Sequence, residues 1–249
     1  KGVGKTSIAR ILAHEINGIK YTDESTHLDI IEIDAASNRR IDEIRDLRDK
    51  VHIAPTSSKY KVYIIDEVHM LTREAFNALL KTLEEPPAHV VFILATTESH
   101  KVPETIVSRT QRFTFKPISL EMTCAHLKTI AGKEKIKISD EAIQLLAEHG
   151  RGSFRDSISM LDQLAGLGKD KFEVSDVRML LGIPSDELIE NIVSAIESND
   201  ITAIFETVQS LREQGIDSGR ASLSISSALR NKIINGDIKL VHAKAVKLL

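Results

Sequence analysis

The chain has 249 residues, of which 42% are hydrophobic and 28% charged, and its formal net charge is −3. This is the composition of an ordinary globular protein of one or two domains, with no apolar run near the ~18 residues of a membrane-spanning helix and no secretory signal pattern. One cysteine excludes an internal disulfide and a zinc site built from several cysteines. The mild acidity argues against binding nucleic acid through bulk charge alone.

Helix and strand patterns alternate in the first third of the chain. Helical spacing from residue 6 to residue 16 places Ile8, Ile11, Leu12 and Ile16 on one apolar face, with Gly18 as a stop signal. Further helices are predicted over 41–51 and 72–83, and short apolar strands over 28–33, 62–65 and 90–95.

Nearly continuous apolar strands separated by helices indicate an α/β fold with a parallel sheet covered on both faces. Ligands of such sheets bind at the carboxyl ends of the strands. The polar residues that follow the strands are therefore expected along one edge of the sheet: Asp34, Asp66, Glu67, Thr96 and Thr97.

After Pro117 the pattern becomes entirely helical. Ser139 and Ser153 are good N-caps, and Gly150 and Gly168 are good stop signals. Helices are predicted over 119–133, 139–149, 153–167 and 175–181 and, beyond a Gly-Ile-Pro sequence, over 186–197, 201–214 and 220–235.

The first residues, Gly2-Val3-Gly4-Lys5-Thr6, match the second half of the phosphate-loop motif G-x-x-x-x-G-K-[ST]. Glycines let backbone N–H groups wrap phosphate oxygens, and the helix N-terminus adds partial positive charge. In this motif Lys5 reaches the β- and γ-phosphates and the Thr6 hydroxyl ligates Mg²⁺. A glycine-rich turn with a chance match is the alternative. Both ends of the chain look cut, so we expect a longer protein.

A second motif, the acidic pair Asp66-Glu67, directly follows the apolar strand 62–65. An acid at a strand end can hold Mg²⁺ through water, and the next carboxylate can act as general base. Two exposed acids at a solvated strand end are the alternative interpretation. A phosphate loop about 60 residues upstream in an α/β pattern favours a nucleotide site.

Longer matches make the assignment specific. Residues 66–87, which contain Leu83-Glu84-Glu85-Pro86-Pro87, closely resemble the bacterial clamp loader ATPase family, the AAA+ gamma/tau subunits of DNA polymerase III. Similar matches occur in the family's order at 32–38, 95–98, 108–110 and 152–156. The resemblance implies an AAA+ ATPase core over 1–117, a helical lid over 118–181 and a partial oligomerisation collar over 182–249.

The resemblance also implies roles for single residues, with ATP and Mg²⁺ as cofactors. Asp66 is similar to the metal-holding acid and Glu67 to the catalytic base. Thr97 matches the sensor 1 hydroxyl, and Thr96 is the alternative one residue away. The residues similar to the Walker A contacts are Gly2, Gly4, Lys5, Thr6 and Ser7.

Two arginines carry the remaining implied roles. Arg155 matches sensor 2, a lid arginine on the phosphates of the same subunit. Arg109 matches the arginine finger, which reaches the ATP site of the neighbouring subunit and neutralises charge developing on the γ-phosphate. For both, an ordinary surface ion pair is the alternative.

The chain departs from the family pattern in two places. The family usually carries a zinc-binding insertion with four cysteines, but residues 18–27 contain none, so we predict no zinc. Thr110 stands where the family commonly has cysteine, which leaves the implied role of Arg109 intact. We expect Cys124 to be a small packed side chain. His69 is interpreted as structural rather than catalytic.

The implied partners are the other subunits of a clamp loader pentamer, the sliding clamp, primer–template DNA and the replicative polymerase, in the bacterial cytoplasm and with no membrane. Arg39 and Arg40 are the candidate DNA contacts, with a solvated helix start as the alternative. Two other functions stay open: a non-hydrolysing scaffold subunit of the same assembly, and a different AAA+ machine such as a Holliday-junction motor. The stretch 83–87 argues against the second.

Overall fold

The computed structural model describes residues 1–22, 27–37 and 41–235, and the chain divides into two units, Lys1–Pro117 and Ile118–Leu249. The first unit alternates helices and strands, with short 3-10 turns at Val68–Met70 and Ser99–Lys101. Its regular elements are α1 (Lys5–Ile16), β1 (Ile30–Asp34), α2 (Ile41–Val51), β2 (Lys61–Asp66), α3 (Arg73–Glu84), β3 (Val90–Leu94) and α4 (Glu104–Val107).

The strands of the described part form one parallel sheet in the order β1-β2-β3. The register aligns Ile33 with Ile65, and Ile65 with Leu94. All of β2 except its last residue is buried, as expected of a central strand covered on both sides. The α/β prediction is thereby confirmed, and the carboxyl ends of the strands lie along one edge.

Side chains of β2 alternate between two helical layers. Val62 and Ile64 pack with Ala9 and Ala13 of α1. The opposite face carries Tyr63 and Ile65, whose hydrophobic cluster includes buried residues of α2 and α3. Neighbouring residues of a strand point to opposite faces. Asp66, the last residue of β2, therefore lies on the same face as Val62 and Ile64, which is the face that packs on α1.

Helix α1 packs on the sheet through Ala9 and Ala13, with Ile16 of the predicted apolar face beside them. Ile8, Ile11 and Leu12 are exposed, whereas Ala9 and Ala13 are buried against the sheet. Small alanine side chains let a helix backbone approach a sheet closely, and the bulkier stripe then falls outside that contact.

The regular elements described in the second unit are all helices, with one isolated parallel β-bridge between Ile138 and Phe172. Ser139 and Ser153 cap their helices as predicted, accepting hydrogen bonds from the backbone N–H groups of Ala142 and Asp156. The helices are α5 (Leu120–Lys133), α6 (Asp140–His149), α7 (Phe154–Ala165), α8 (Val174–Leu181), α9 (Asp186–Ser198), α10 (Ile201–Glu213) and α11 (Ser218–Ile234). Helix α7 ends earlier than predicted: its C-cap is Gly166, while Gly168 lies beyond it with φ +69°.

Two separate hydrophobic clusters stabilise this unit. One is formed by α5 to α8, with Leu146 and Leu164 fully buried. The other is formed by α9 to α11, with Leu229 fully buried. The predicted boundary between lid and collar near residue 182 stays a prediction. No helix in the described ranges is long and apolar enough to cross a lipid bilayer.

Candidate nucleotide site

Backbone geometry at the start of the chain matches the needs of a phosphate loop. Gly2 has φ +64° and Gly4, the N-cap of α1, has φ +87°. Residues other than glycine rarely adopt these left-handed backbone angles. A Cβ added at Gly4 would meet no atom within 4 Å, so backbone conformation, not space, requires glycine there. The loop leads into the N-terminus of α1, where Lys5 is the first helical residue. N–H groups of such an N-terminus bind anions.

One hydrogen bond joins the phosphate loop to the edge of the sheet. The Thr6 hydroxyl donates to Oδ2 of Asp66 at 2.7 Å, across 60 positions of sequence. Asp66 ends β2 on the same face as Val62 and Ile64, which is the face that packs on α1. Its Oδ1 accepts the backbone N–H of Glu67 at 2.8 Å. The two sequence motifs therefore form one site.

The Thr6–Asp66 pair fits a magnesium ion in a nucleotide complex. A hydroxyl and a carboxylate are the hard oxygen ligands that Mg²⁺ prefers, and it usually takes its other ligands from phosphates and water. Within the described ranges, no group of three or more His, Cys, Asp or Glu residues could hold a metal ion.

Glu67 lies beside this pair in a restrained position. Its backbone is left-handed, with φ 47°, which is uncommon for a residue with a Cβ. Its Oε2 accepts hydrogen bonds from the Thr97 backbone N–H at 3.0 Å and from the Thr97 hydroxyl at 2.8 Å. Thr96 instead contacts His69, with Oγ1 2.9 Å from Nδ1. The geometry therefore places Thr97, not Thr96, against the candidate base.

His69 is a residue of this edge whose contact with Glu67 we did not predict. Its side chain is 6% exposed, and its Nδ1 lies 3.2 Å from Oε2 of Glu67. Its Nε2 lies 3.6 Å from Oε1 of Glu98. The Lys101 ammonium, which donates to Glu98, lowers the pKa of that carboxyl, and His69 adds a smaller contribution. In the sequence, the only indication that His69 belongs to this edge was its position inside the match at 66–87.

The third acid predicted at the edge, Asp34, stabilises a turn. Its Oδ1 accepts the backbone N–H of Ala36 at 2.8 Å, and its Oδ2 accepts the Ser37 hydroxyl at 2.8 Å. Asp34 therefore shapes the loop after β1.

Ser7, another of the residues predicted to contact the nucleotide, is exposed in the first turn of α1.

The two candidate arginines, Arg109 and Arg155, belong to different units of the chain. Arg109 forms an ion pair with Glu84 at 2.8 Å and donates to the carbonyl oxygen of Thr105 at 2.8 Å. Arg155 is exposed in the first turn of α7, in the second unit, and forms no hydrogen bond or ion pair with the rest of the described chain. Arg39 and Arg40 lie outside the described residues.

Comparisons with known proteins show which family the chain resembles. The family model described as DNA polymerase III, delta subunit, matches residues 1–119, and the one described as DNA polymerase III clamp loader subunit, ATPase lid domain, matches residues 123–170. The tau subunit of DNA polymerase III from Bacillus subtilis is 42% identical over 87% of this chain. The Escherichia coli tau subunit is 41% identical over 87% of it, and the Buchnera aphidicola gamma subunit 40% over 80%. The chain spans 41%, 36% and 59% of these three relatives.

Solved structures support the fold. The Thermotoga maritima RuvB Holliday junction branch migration motor aligns with TM-score 0.57 and 21% identity, covering 78% of this chain and 65% of that one. A DNA polymerase III gamma subunit-related protein from the same organism aligns with TM-score 0.50 and 20% identity, covering 98% and 80%. At such low sequence identity these alignments support the fold and nothing further.

The parallel sheet with its helices, together with the match of residues 123–170 to a clamp loader ATPase lid domain, defines an ATPase of the AAA+ class. Within that class, the sequence relatives narrow the assignment. The chain belongs to the family of the gamma and tau subunits of bacterial DNA polymerase III.

Proposed function

We propose that this chain is the ATP-hydrolysing part of a clamp loader subunit, which uses ATP binding and hydrolysis to load a sliding clamp onto primer–template DNA. The observation that carries the proposal is the 2.7 Å hydrogen bond between Thr6 and Asp66. It joins a phosphate loop to an acidic strand end, and Glu67 follows directly. A chance glycine turn or a solvated pair of acids has no reason to form this contact.

In this proposal each residue of the site has a separate role in phosphoryl transfer to water. The N–H groups of the Gly2–Gly4 loop and the Lys5 ammonium bind the phosphates. Thr6 and Asp66 would hold Mg²⁺, which would supply charge neutralisation at the phosphate oxygens. Glu67 accepts the proton of the attacking water, and Thr97 orients the Glu67 carboxylate by two hydrogen bonds.

Arg109 and Arg155 complete the site in the proposed assembly. Arg109 acts on the ATP of the neighbouring subunit, where it stabilises charge on the transferred phosphoryl group. Its ion pair with Glu84 is partly exposed, so exchanging that partner for a phosphate costs little free energy. Arg155 contacts the phosphates of its own subunit from the lid.

The proposed partners follow from this function. They are the other subunits of a clamp loader pentamer, the sliding clamp, primer–template DNA and the replicative polymerase, at the replication machinery of the bacterial cytoplasm. Arg39 and Arg40 contribute phosphate contacts to the DNA. Since the net charge of this chain is −3, DNA binding depends on several subunits that each supply a few contacts.

The test is ATP hydrolysis by the full-length protein in its complete complex, with and without clamp and primed DNA. We expect stimulation by both, and a loss of about 10³-fold in Lys5→Ala. Lys20→Ala, which alters an exposed lysine just beyond α1, is the matched control and should hydrolyse ATP normally. Absence of stimulation, or full activity of Lys5→Ala, would contradict the proposal. A complex that binds ATP but turns over equally with Glu67→Gln would support the scaffold function instead.

A further inference from the structure

His69 lies at the polar edge of the sheet, not in the hydrophobic core. Its neighbours in the 3-10 turn and just after it, Val68 and Leu71, pack into the cluster between the sheet and α2–α3. The imidazole is nearly as buried, but its polar neighbours are Glu67, Thr96 and Glu98. A histidine that only filled space would not require three polar partners.

The contact between His69 and Glu67 has a defined polarity. An ionised carboxylate only accepts hydrogen bonds, so the 3.2 Å contact of Oε2 with Nδ1, which lies within ion-pair distance, is favourable when Nδ1 carries the proton. The Thr96 hydroxyl oxygen already accepts the backbone N–H of Glu98 at 3.0 Å and lies 2.9 Å from the same Nδ1. The hydrogen bond of Nδ1 is therefore to this hydroxyl oxygen, and the carboxylate of Glu67 lies beside it.

The two oxygens of Glu67 are consequently unequal. Oε2 accepts two hydrogen bonds from Thr97, through its N–H and its hydroxyl, and lies 3.2 Å from Nδ1 of His69. In the described part of the chain no residue hydrogen-bonds Oε1, and the side chain is 29% exposed. Donors on one oxygen fix the rotation of the carboxylate and leave the other oxygen to face solvent.

We propose that His69 is a positioning residue for ATP hydrolysis, which holds Oε2 of Glu67 so that Oε1 stays directed at the attacking water. Through Thr96 and Glu98 it also joins the carboxylate to the segment after β3, so that the base and the sensor residue keep one relative position. The inference rests on the proposed function, because it needs Glu67 as the base.

The experiment compares His69→Ala, His69→Asn and His69→Gln in the full-length protein within its complete complex. An asparagine amide nitrogen falls near the place of Nδ1, whereas a glutamine amide nitrogen falls near that of Nε2. We expect the kcat of ATP hydrolysis to fall about 10- to 100-fold in the Ala and Gln variants, as for residues that orient a reacting group. The Asn variant should stay within about 3-fold of wild type, and ATP affinity should change less than about 2-fold in all three.

His100→Ala is the matched control. His100 is also close to Glu98, at 3.9 Å, but its side chain is 75% exposed and it does not contact Glu67, so its kcat should equal that of wild type. Wild-type turnover in His69→Ala, equal turnover in the Asn and Gln variants, or a parallel loss of ATP affinity would overturn the inference. If His69→Ala does not fold, the Asn and Gln pair still decides it.

The same assay separates this inference from the proposed function. If the wild-type complex shows no hydrolysis that depends on Lys5, the proposed function is wrong and the role of His69 fails with it. If hydrolysis depends on Lys5 and on Glu67 but not on His69, only the positioning role is wrong.

Discussion

Arg109 and Glu84 form an ion pair that joins the turn after α4 to the last residue of α3, with Nη2 of the arginine 2.8 Å from Oε1 of the glutamate. Their side chains are 38% and 46% exposed. Pairs this exposed contribute only about 0–1 kcal/mol to folding. The pair therefore orients the guanidinium without holding it against a stronger anionic partner.

Arg109→Ala should abolish hydrolysis while leaving ATP binding nearly intact. In the complete complex we expect a loss of about 10³-fold or more in kcat, since arginine fingers are worth 10³–10⁵. Arg112→Ala removes a nearby exposed arginine that donates to Ser99, and should leave the rate unchanged. Retained turnover in Arg109→Ala would exclude a role in the neighbouring active site.

Thr97→Val and Thr96→Val distinguish the two sensor candidates. The Thr97 hydroxyl donates to Glu67, so its removal at nearly constant volume should lower kcat about 10- to 100-fold. Thr96 reaches Glu67 only through His69, and its variant should lose less activity. The measurement is the steady-state rate of ATP hydrolysis of each variant. The thermal midpoints of unfolding serve as a folding control. The reverse order would make Thr96 the sensor.

Asp29 anchors a loop from a buried position. It is 1% exposed and accepts the backbone N–H groups of Thr56, Ser57 and Ser58 at 2.7–2.9 Å. Burial alone would raise the pKa of Asp29, but these hydrogen bonds outweigh it and lower the pKa to about 2 from an ordinary 3.8. Because the folded pKa is the lower one, the stabilisation is complete above pH ~4 and is lost as pH falls toward 2.

Asp29→Asn should therefore destabilise the chain by about 2 kcal/mol near pH 6 and by progressively less below pH 4. Chemical unfolding at several pH values measures this difference. Asp140→Asn changes a carboxylate that is 74% exposed, and should show no comparable pH dependence. A pH-independent penalty for Asp29→Asn would mean that volume, not charge, accounts for the effect.

Tyr63→Phe should leave stability unchanged or raise it by up to about 1 kcal/mol. The ring is 1% exposed and stacks on Phe92, yet its hydroxyl has no hydrogen-bond partner within the described ranges. Burial raises the pKa of this phenol. Free energies of unfolding of Tyr63→Phe and of the control Tyr60→Phe test the expectation. A loss above about 1 kcal/mol in Tyr63→Phe would show that the hydroxyl forms a stabilising hydrogen bond.

Replacing Arg39 and Arg40 together by alanine should weaken binding of primed DNA by the complete complex and flatten its salt dependence. Each lost phosphate contact lowers the slope of log K against log salt by about 0.9. Arg48→Ala, in the last turn of α2, is the control. An unchanged slope in the double variant would mean that these arginines are solvated and contact no phosphate.

Local chemistry made much of the fold predictable. The apolar run at 62–65 was recognisable as a buried strand, and Ser139 and Ser153 were recognisable as caps, because each signal lies within a few residues. Apolar periodicity located α1, but it did not indicate that the alanines at 9 and 13 provide the buried contact while Ile8, Ile11 and Leu12 are exposed.

The site was predictable as a set of residues but not as a network. Motif spacing brought Thr6, Asp66 and Glu67 together without specifying which atoms meet. The contact of His69 with Glu67 depends on the left-handed backbone of Glu67, and the Asp29 anchor spans 27–29 positions. Contacts of that kind arise from tertiary geometry, which periodicity and local propensity do not encode.

The alternation of β2 makes the order of its two terminal acids chemically meaningful. Asp66 continues the face that packs on α1 and contacts Thr6, whereas the left-handed backbone of Glu67 carries its side chain to Thr97 after the neighbouring strand. Exchanging the two residues would preserve charge and composition, yet it would put the longer side chain against α1 and the shorter one beside Thr97. The two adjacent carboxylates are thus not interchangeable, because each points to a different partner. The total negative charge at this edge does not describe its chemistry.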